Sequence, residues 1–251
     1  MMFFFRKPTI VLDCFTDNSY LYEYLSIQQA SKFFPDWWKQ LPKEYISKKS
    51  PTQLKLNTMK SCRGIVSLYQ NGIILPLWSD YSIKVGSKAL PKILFETPTQ
   101  YKAAWHDAEQ WGGESYLSPK NYGHLKLDCP WYIREKTGVQ FAFIQPFYNT
   151  STPTDYLFPP GVVDYKYQNS GNVNLFFEFK EDERTILLRA GDPIAMILPL
   201  TEKDVKIKNH LVSPMELNKM NPKPLTFNHH YTWLKGYMNQ KESKCPFGFK
   251  K

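Results

Sequence analysis

The sequence is poor in the features that mark the commonest functional classes. Its four cysteines, Cys14, Cys62, Cys129 and Cys245, form no Cys-x-x-Cys pair, which argues against a structural zinc site. Four cysteines in 251 residues are also too sparse for a disulfide framework, so free thiols in a reducing compartment are expected. No apolar run approaches the ~18 residues of a transmembrane helix, and no membrane association is expected. The opening apolar stretch ends at Phe5, before Arg6 and Lys7, too early for the core of a secretion signal. No His-x-Asp or His-x-His occurs, so the facial triad of non-haem iron enzymes lacks its usual signature. No metal site is expected, and no cofactor can be read from the residues. Internal repeats, low-complexity tracts and linkers are absent too.

What is abundant is aromatic and positive. Phe, Tyr and Trp make up 16% of the chain, and Phe and Tyr favour strands. The formal net charge is +9 and the pI about 9.2. One basic stretch contains Lys39, Lys43, Lys48, Lys49, Lys55, Lys60 and Arg63; a second runs from Lys203 to Lys251. Such a balance suits nucleic acid or another polyanion. Scattered lysines with little arginine also describe a merely solvated surface, and both readings stay open.

Along the chain, 9–15 (TIVLDCF) reads as a buried strand and 27–34 as a short helix stopped by Pro35. Pro35 to Pro42 bracket Trp37, Trp38 and Lys39 in a compact apolar turn, and 43–57 reads as an exposed loop. Residues 61–71 have helical spacing, with Ser61 as N-cap and Gly72 as the stop. Strands are expected at 73–78, 81–85 and 92–96, then an irregular segment at 97–121. From His124 onward six short apolar runs follow at 124–128, 139–145, 161–167, 173–180, 185–189 and 194–198, a rhythm typical of all-β sandwiches and barrels. The tail adds a strand at 205–208, a helix at 214–220 capped by Ser213, and a helix around 230–240. The expected fold is a single domain over 1–251, mainly an antiparallel β-sandwich or barrel with short helices near both ends. It divides into a helix- and loop-rich part (1–120), a β core (121–212) and a helical tail (213–251).

One segment carries motifs. Gly161-Val-Val-Asp164-Tyr-Lys-Tyr167 is followed, after one strand, by Gly191-Asp192-Pro-Ile-Ala. The pattern resembles the trimeric dUTPase and dCTP-deaminase superfamily over residues 160–199. The resemblance implies a dUTPase-like fold, an oligomer with sites between subunits, and a nucleotide or other small molecule at Gly161, Asp164 and Tyr167. There glycine would permit close approach, Asp164 could order a sugar or activate water, and Tyr167 could pack under the ligand. The chain departs from that family at the phosphate loop, whose place reads Pro146-Phe-Tyr-Asn-Thr150, and at Met196, where glutamine is usual. The Phe-Phe-Phe-Arg-Lys-Pro start, the Trp pair, Cys62-Arg-Gly-Ile, Leu75-Pro-Leu-Trp-Ser-Asp80 and Cys129-Pro-Trp131 resemble a protein family of marine and cyanobacterial phages that has no activity to carry over. That resemblance implies a viral protein, found in the host-cell cytoplasm or the virion.

The remaining chemistry-bearing residues are few. His124, on an expected strand, is the best single ligand candidate among the histidines (His106 beside Asp107, His210, His229-His230), with a hydrogen-bonded structural role as the plainer reading. Cys129 follows His124 by five residues, which strand alternation puts on the opposite face, so a Cys–His pair would need a bend. Trp37 and Trp38 with Lys39 form the candidate partner surface; packing is the plainer role for Trp78, Trp105, Trp111 and Trp131, and turn formation for Asp80. Two expectations follow. The first is a phage accessory or structural protein that binds an unidentified protein or other partner without catalysis. The second is an enzyme or sensor of nucleotides built around Asp164 and Tyr167.

Overall fold

The structure, a computed structural model, describes residues 8–47, 54–105, 117–118, 120–149, 155–220 and 235–237. The first apolar run forms β1 (Thr9–Thr16), with Leu12 and Cys14 wholly buried. Helix α1 (Ser19–Tyr24) follows, its Leu21 N–H donating to the Asn18 side chain. Where 27–34 suggests a helix, the chain forms β2 (Gln28–Gln29) and a single 3-10 turn, Ala30–Phe33. Gln28 and Gln29 pair with a later strand at Ile74 and Ile73, which leaves only one turn before Pro35.

The Trp-Trp segment is a helix, α2 (Asp36–Gln40), and not an irregular turn. A proline restrains the residue before it. Leu41, preceding Pro42, is accordingly extended (ψ 134°), while nothing prevents a helix from starting after Pro35. The expected loop at 43–57 contains an exposed hairpin, β3 (Glu44–Ile46) with β4 (Lys55–Asn57). Helix α3 (Arg63–Asn71) starts two residues later than its periodicity suggests, because Ser61 belongs to a 3-10 turn capped by Thr58. It ends at Gly72, whose N–H donates to the Leu68 carbonyl and where a Cβ would lie only 2.5 Å from that oxygen.

The remaining strands are β5 (Ile73–Pro76), β6 (Tyr81–Val85), β7 (Ile93–Glu96), β8 (Ala103–Trp105), β9 (Tyr122–Leu127), β10 (Tyr132–Arg134), β11 (Gln140–Ile144), β12 (Gly161–Asp164), β13 (Val173–Glu178), β14 (Arg184–Leu188), β15 (Pro193–Pro199) and β16 (Asp204–Leu211), before α4 (Pro214–Met220). Each of the six apolar runs from His124 onward contains a strand, as expected, although the one expected over 161–167 ends at Asp164, where 165–167 turn. α4 opens on a capping box, in which the Ser213 hydroxyl accepts the Glu216 N–H and the Glu216 carboxylate accepts the Ser213 N–H. Of the expected helix at 230–240, residues 235–237 are described and helical. His106, Asp107, Trp111, His229, His230 and Cys245 lie outside the described residues.

The strands form a mainly β, sandwich-like fold without a closed barrel among the described residues. Its principal sheets run β12-β11-β15-β5-β2, β10-β1-β16, β13-β9-β8 and β14-β6-β7. Pairing is antiparallel except between β1 and β16, which run parallel through eight residue pairs from Thr9–Asp204 to Thr16–Leu211. Residues 1–120 carry α1, α2 and α3 as expected, but also β1 to β8, with β5 and β6 inside their sheets. The apolar runs Ile73–Pro76 and Tyr81–Val85 bury too much surface to lie outside the core.

The five-stranded sheet positions the site. Alternation sends Ile73, Leu75, Phe141, Phe143, Ala195 and Ile197 to the main core, and Ile74, Met196 and Ile144 to the opposite face. Ile73, Ile74, Leu75 and the run 194–197 are all buried, so this sheet is covered on both faces. The second cover consists of α3, the 30–33 turn and α2.

A candidate aromatic and basic surface

The covering layer is built from rings. Ile65 and Tyr69, four apart on α3, face Ile74 and Met196. The Phe34 ring lies between Trp38 (4.2 Å, 16° interplanar) and Tyr69 (4.4 Å, 24°). The Tyr69 hydroxyl donates to Asn149 Oδ1 at 2.5 Å, and Asn149 Nδ2 donates to the Phe33 carbonyl at 2.6 Å. These bonds tie the 3-10 turn Phe147–Asn149 to the layer. Burial, with Tyr148 nearby, pushes the Tyr69 pKa up to about 12, so its hydroxyl stays a donor at neutral pH.

The outer edge of this layer presents three rings in sequence. Trp37 is 42% exposed, and its indole N–H donates to the Tyr148 carbonyl at 3.1 Å. The Trp37 and Tyr148 rings are 6.3 Å apart, and Phe147, 60% exposed, meets Tyr148 edge-on at 5.6 Å. Of the Trp pair, Trp38 faces inward and Trp37 outward, as neighbours on a short helix must.

The segment that carries the Trp pair is basic. Lys60 Nζ donates to the carbonyls of Lys39 (2.7 Å) and Leu41 (3.0 Å) and sits 5.6 Å from the Trp38 ring centre, satisfying the exposed C-terminus of α2. Lys39 pairs with Asp36 at 2.9 Å, both well exposed, a contact of little energetic weight. Over the described residues from 30 to 63, Lys32, Lys39, Lys43, Lys55, Lys60 and Arg63 oppose Asp36 and Glu44: six minus two leaves +4.

Asp164 and Tyr167 share the turn at the end of β12, while Gly161 opens that strand at its other end. A Cβ on Gly161 would meet no protein atom within 4 Å. Asp164 is 5% exposed; its Oδ1 accepts the Lys166 N–H, and its carbonyl accepts the N–H groups of Tyr167 and Gln168, the bonding of a turn-forming aspartate. Tyr167 is 6% exposed, with Lys166 Nζ and Lys235 Nζ 5.6 and 5.9 Å from its ring centre. Met196 is buried under Ile74 and the ring layer. Gly191 takes a φ of 89°, the tight turn expected before β15.

His124 is 8% exposed, stacked on its cross-strand partner Phe176 (4.4 Å, 1°), with Nε2 3.1 Å from Asn174 Oδ1. That arrangement fits the structural role. Burial drives the Cys129 thiol up to about 12 although the Trp131 and Gly171 N–H groups oppose it, so it holds no thiolate at neutral pH. Trp78 and Trp131 are core residues. Asp80 accepts the Ala190 N–H at 2.8 Å and lies 3.9 Å from Arg189, linking two turns.

Two groups escaped the sequence reading. Phe147 and Tyr148 stand 110 residues from Trp37, and only the fold joins them. Glu135 is 1% exposed, and its carboxylate accepts the N–H groups of Thr137, Gly138 and Val139 and the Thr137 hydroxyl at 2.5–3.1 Å, closing the turn that Gly138 makes at φ 83°. Among the described residues no cluster of His, Cys, Asp or Glu is arranged to hold a metal, and no helix is long and apolar enough to cross a membrane. Searches of protein-family models and of curated proteins find no match to the chain.

Proposed function

We propose that this chain is a phage-encoded accessory protein that binds single-stranded nucleic acid, without catalysis, on the face formed by α2, the β3–β4 hairpin and the 147–149 turn. The observation that carries the reading is the row of exposed Trp37 and Phe147 with half-buried Tyr148 between them, Trp37 lying in a segment, 30–63, whose described charges sum to +4. Bases stack on such rings whatever their sequence, each contact being worth about 1–3 kcal/mol, while lysines follow the phosphates. The resemblance to phage proteins favours the same role, since replicating viral genomes expose single strands. Asp164, turned to its own backbone, lends no support to a nucleotide hydrolase.

The test is fluorescence anisotropy with a labelled 12-nucleotide single strand on the full chain. Trp37→Ala should weaken binding about tenfold. Lys39→Glu should weaken it less, and its effect should fade as salt rises. Absence of binding at low salt, or equal affinity in Trp37→Ala, rules the reading out.

A further inference from the structure

We infer that this chain binds a second copy of itself head to tail, the acidic, tyrosine-bearing face of α1 docking on the basic segment around α2 of its neighbour. The inference goes beyond the reading just given and stands without it. From residue 8 to residue 31 the chain holds three carboxylates, Asp13, Asp17 and Glu23, and no lysine or arginine. His210 engages Asp13 at 2.9 Å. Asp17 and Glu23 are exposed, with no ion-pair partner among the described residues. Tyr20, Glu23 and Tyr24, spaced i, i+3 and i+4, share one face of α1. Both rings are more than half exposed, and their centres lie 5.3 Å apart. The helix holds them in place: Leu21 is wholly buried, and the Asn18 side chain accepts the Leu21 N–H and donates to the Tyr101 hydroxyl. A patch set in advance loses little freedom on docking.

The complementary charge lies in 30–63. There Lys32, Lys43, Lys55 and Arg63 are exposed, without ion pairs among the described residues, and Trp37 offers its ring. α1 packs on β1 and β16, whereas α2 and α3 cover the five-stranded sheet, so the two patches are separate surfaces of one chain. Each supplies what the other lacks. Carboxylates face lysine and arginine, tyrosine rings take the same cations on their faces, and they pack against Trp37. Two different patches make a heterologous contact, which continues from copy to copy unless it closes into a ring. The net charge of +9 opposes association. At about 0.1 M salt, however, the Debye length is about 10 Å, so distant charges are screened while facing ones still attract.

Sedimentation velocity of the full chain at up to about 1 mM, in about 0.1 M salt, reads a contact of this size. Species larger than a monomer should grow with concentration, and association should weaken about tenfold in about 0.5 M salt. Glu23→Lys and Arg63→Glu, both at exposed positions, should each weaken it about tenfold by setting like charges against each other. Mixing the two variants joins the intact basic segment of the first to the intact acidic face of the second. The mixture should form a dimer that grows no further. A monomer under all conditions, association that either variant leaves unchanged, or a mixture that stays monomeric overturns the inference. If either charge variant does not fold, Tyr24→Ala decides instead: weaker association supports the docking face, and equal association overturns it.

Discussion

The two faces of the five-stranded sheet are filled in opposite ways. On one, thirty buried side chains among the described residues join a single cluster drawn from strands far apart in sequence. On the other, five buried side chains are joined by half-buried ones, among them the rings Phe33, Phe34, Trp38 and Tyr148. The first face is sealed by the pairing of β1 with β16 and by stacked strands; the second is closed by two helices, two short turns and stacked rings. Flat rings cover a sheet while leaving their neighbours at the edge, so the thin face is the one with aromatic surface to offer. A region with few buried contacts also opens at lower free energy than the core.

The largest effect that sharpens this contrast is expected in the thick core. Ile83, wholly buried, should cost about 3–4 kcal/mol when cut to Ala, against about 2 for Ile65→Ala in the layer, where the neighbours can collapse. Denaturant midpoints measure both, and native-state hydrogen exchange should show α3 less protected than β9 and β13. Equal costs with equal protection would break the two-face account. Next comes Glu135→Gln. The amide leaves four donors facing one acceptor oxygen and an N–H group, and about 2–3 kcal/mol should be lost. The same midpoint assay reads it, and a loss under about 0.5 kcal/mol would mean that the turn rearranges without consequence.

How much of this the sequence discloses depends on whether local signals or tertiary contacts decide each element. The strands after His124 were legible because short apolar runs broken by turn residues have few alternatives. α4 was legible through Ser213 and Glu216, a local cap. β10 and β8 are three residues long, too short for a period to register. β3 is exposed on both faces and only Leu56 of β4 is half-buried, so burial leaves little pattern in their residues. α2 was hidden by its flanking prolines, whose restraint acts only on the preceding residue. At the site, Trp37 and Lys39 stood out because a Trp pair between prolines is unusual. Their companions Phe147 and Tyr148 stood in the place of a phosphate loop with nothing local to mark them. The Asp164 motif shows the reverse: its spacing is a turn signal as much as a catalytic one, and in the structure its carboxylate accepts the Lys166 N–H.

The most direct test of the central claim is where a single strand touches the protein. An octamer carrying 5-iodouracil, irradiated on the full chain, cross-links to rings that stack on the base, and mass spectrometry of the digest names them. The account predicts adducts on Trp37, Tyr148 or Phe147, suppressed by high salt and by unlabelled competitor. Adducts confined to other aromatic residues, such as Tyr20, Tyr24 or Tyr237, would contradict it.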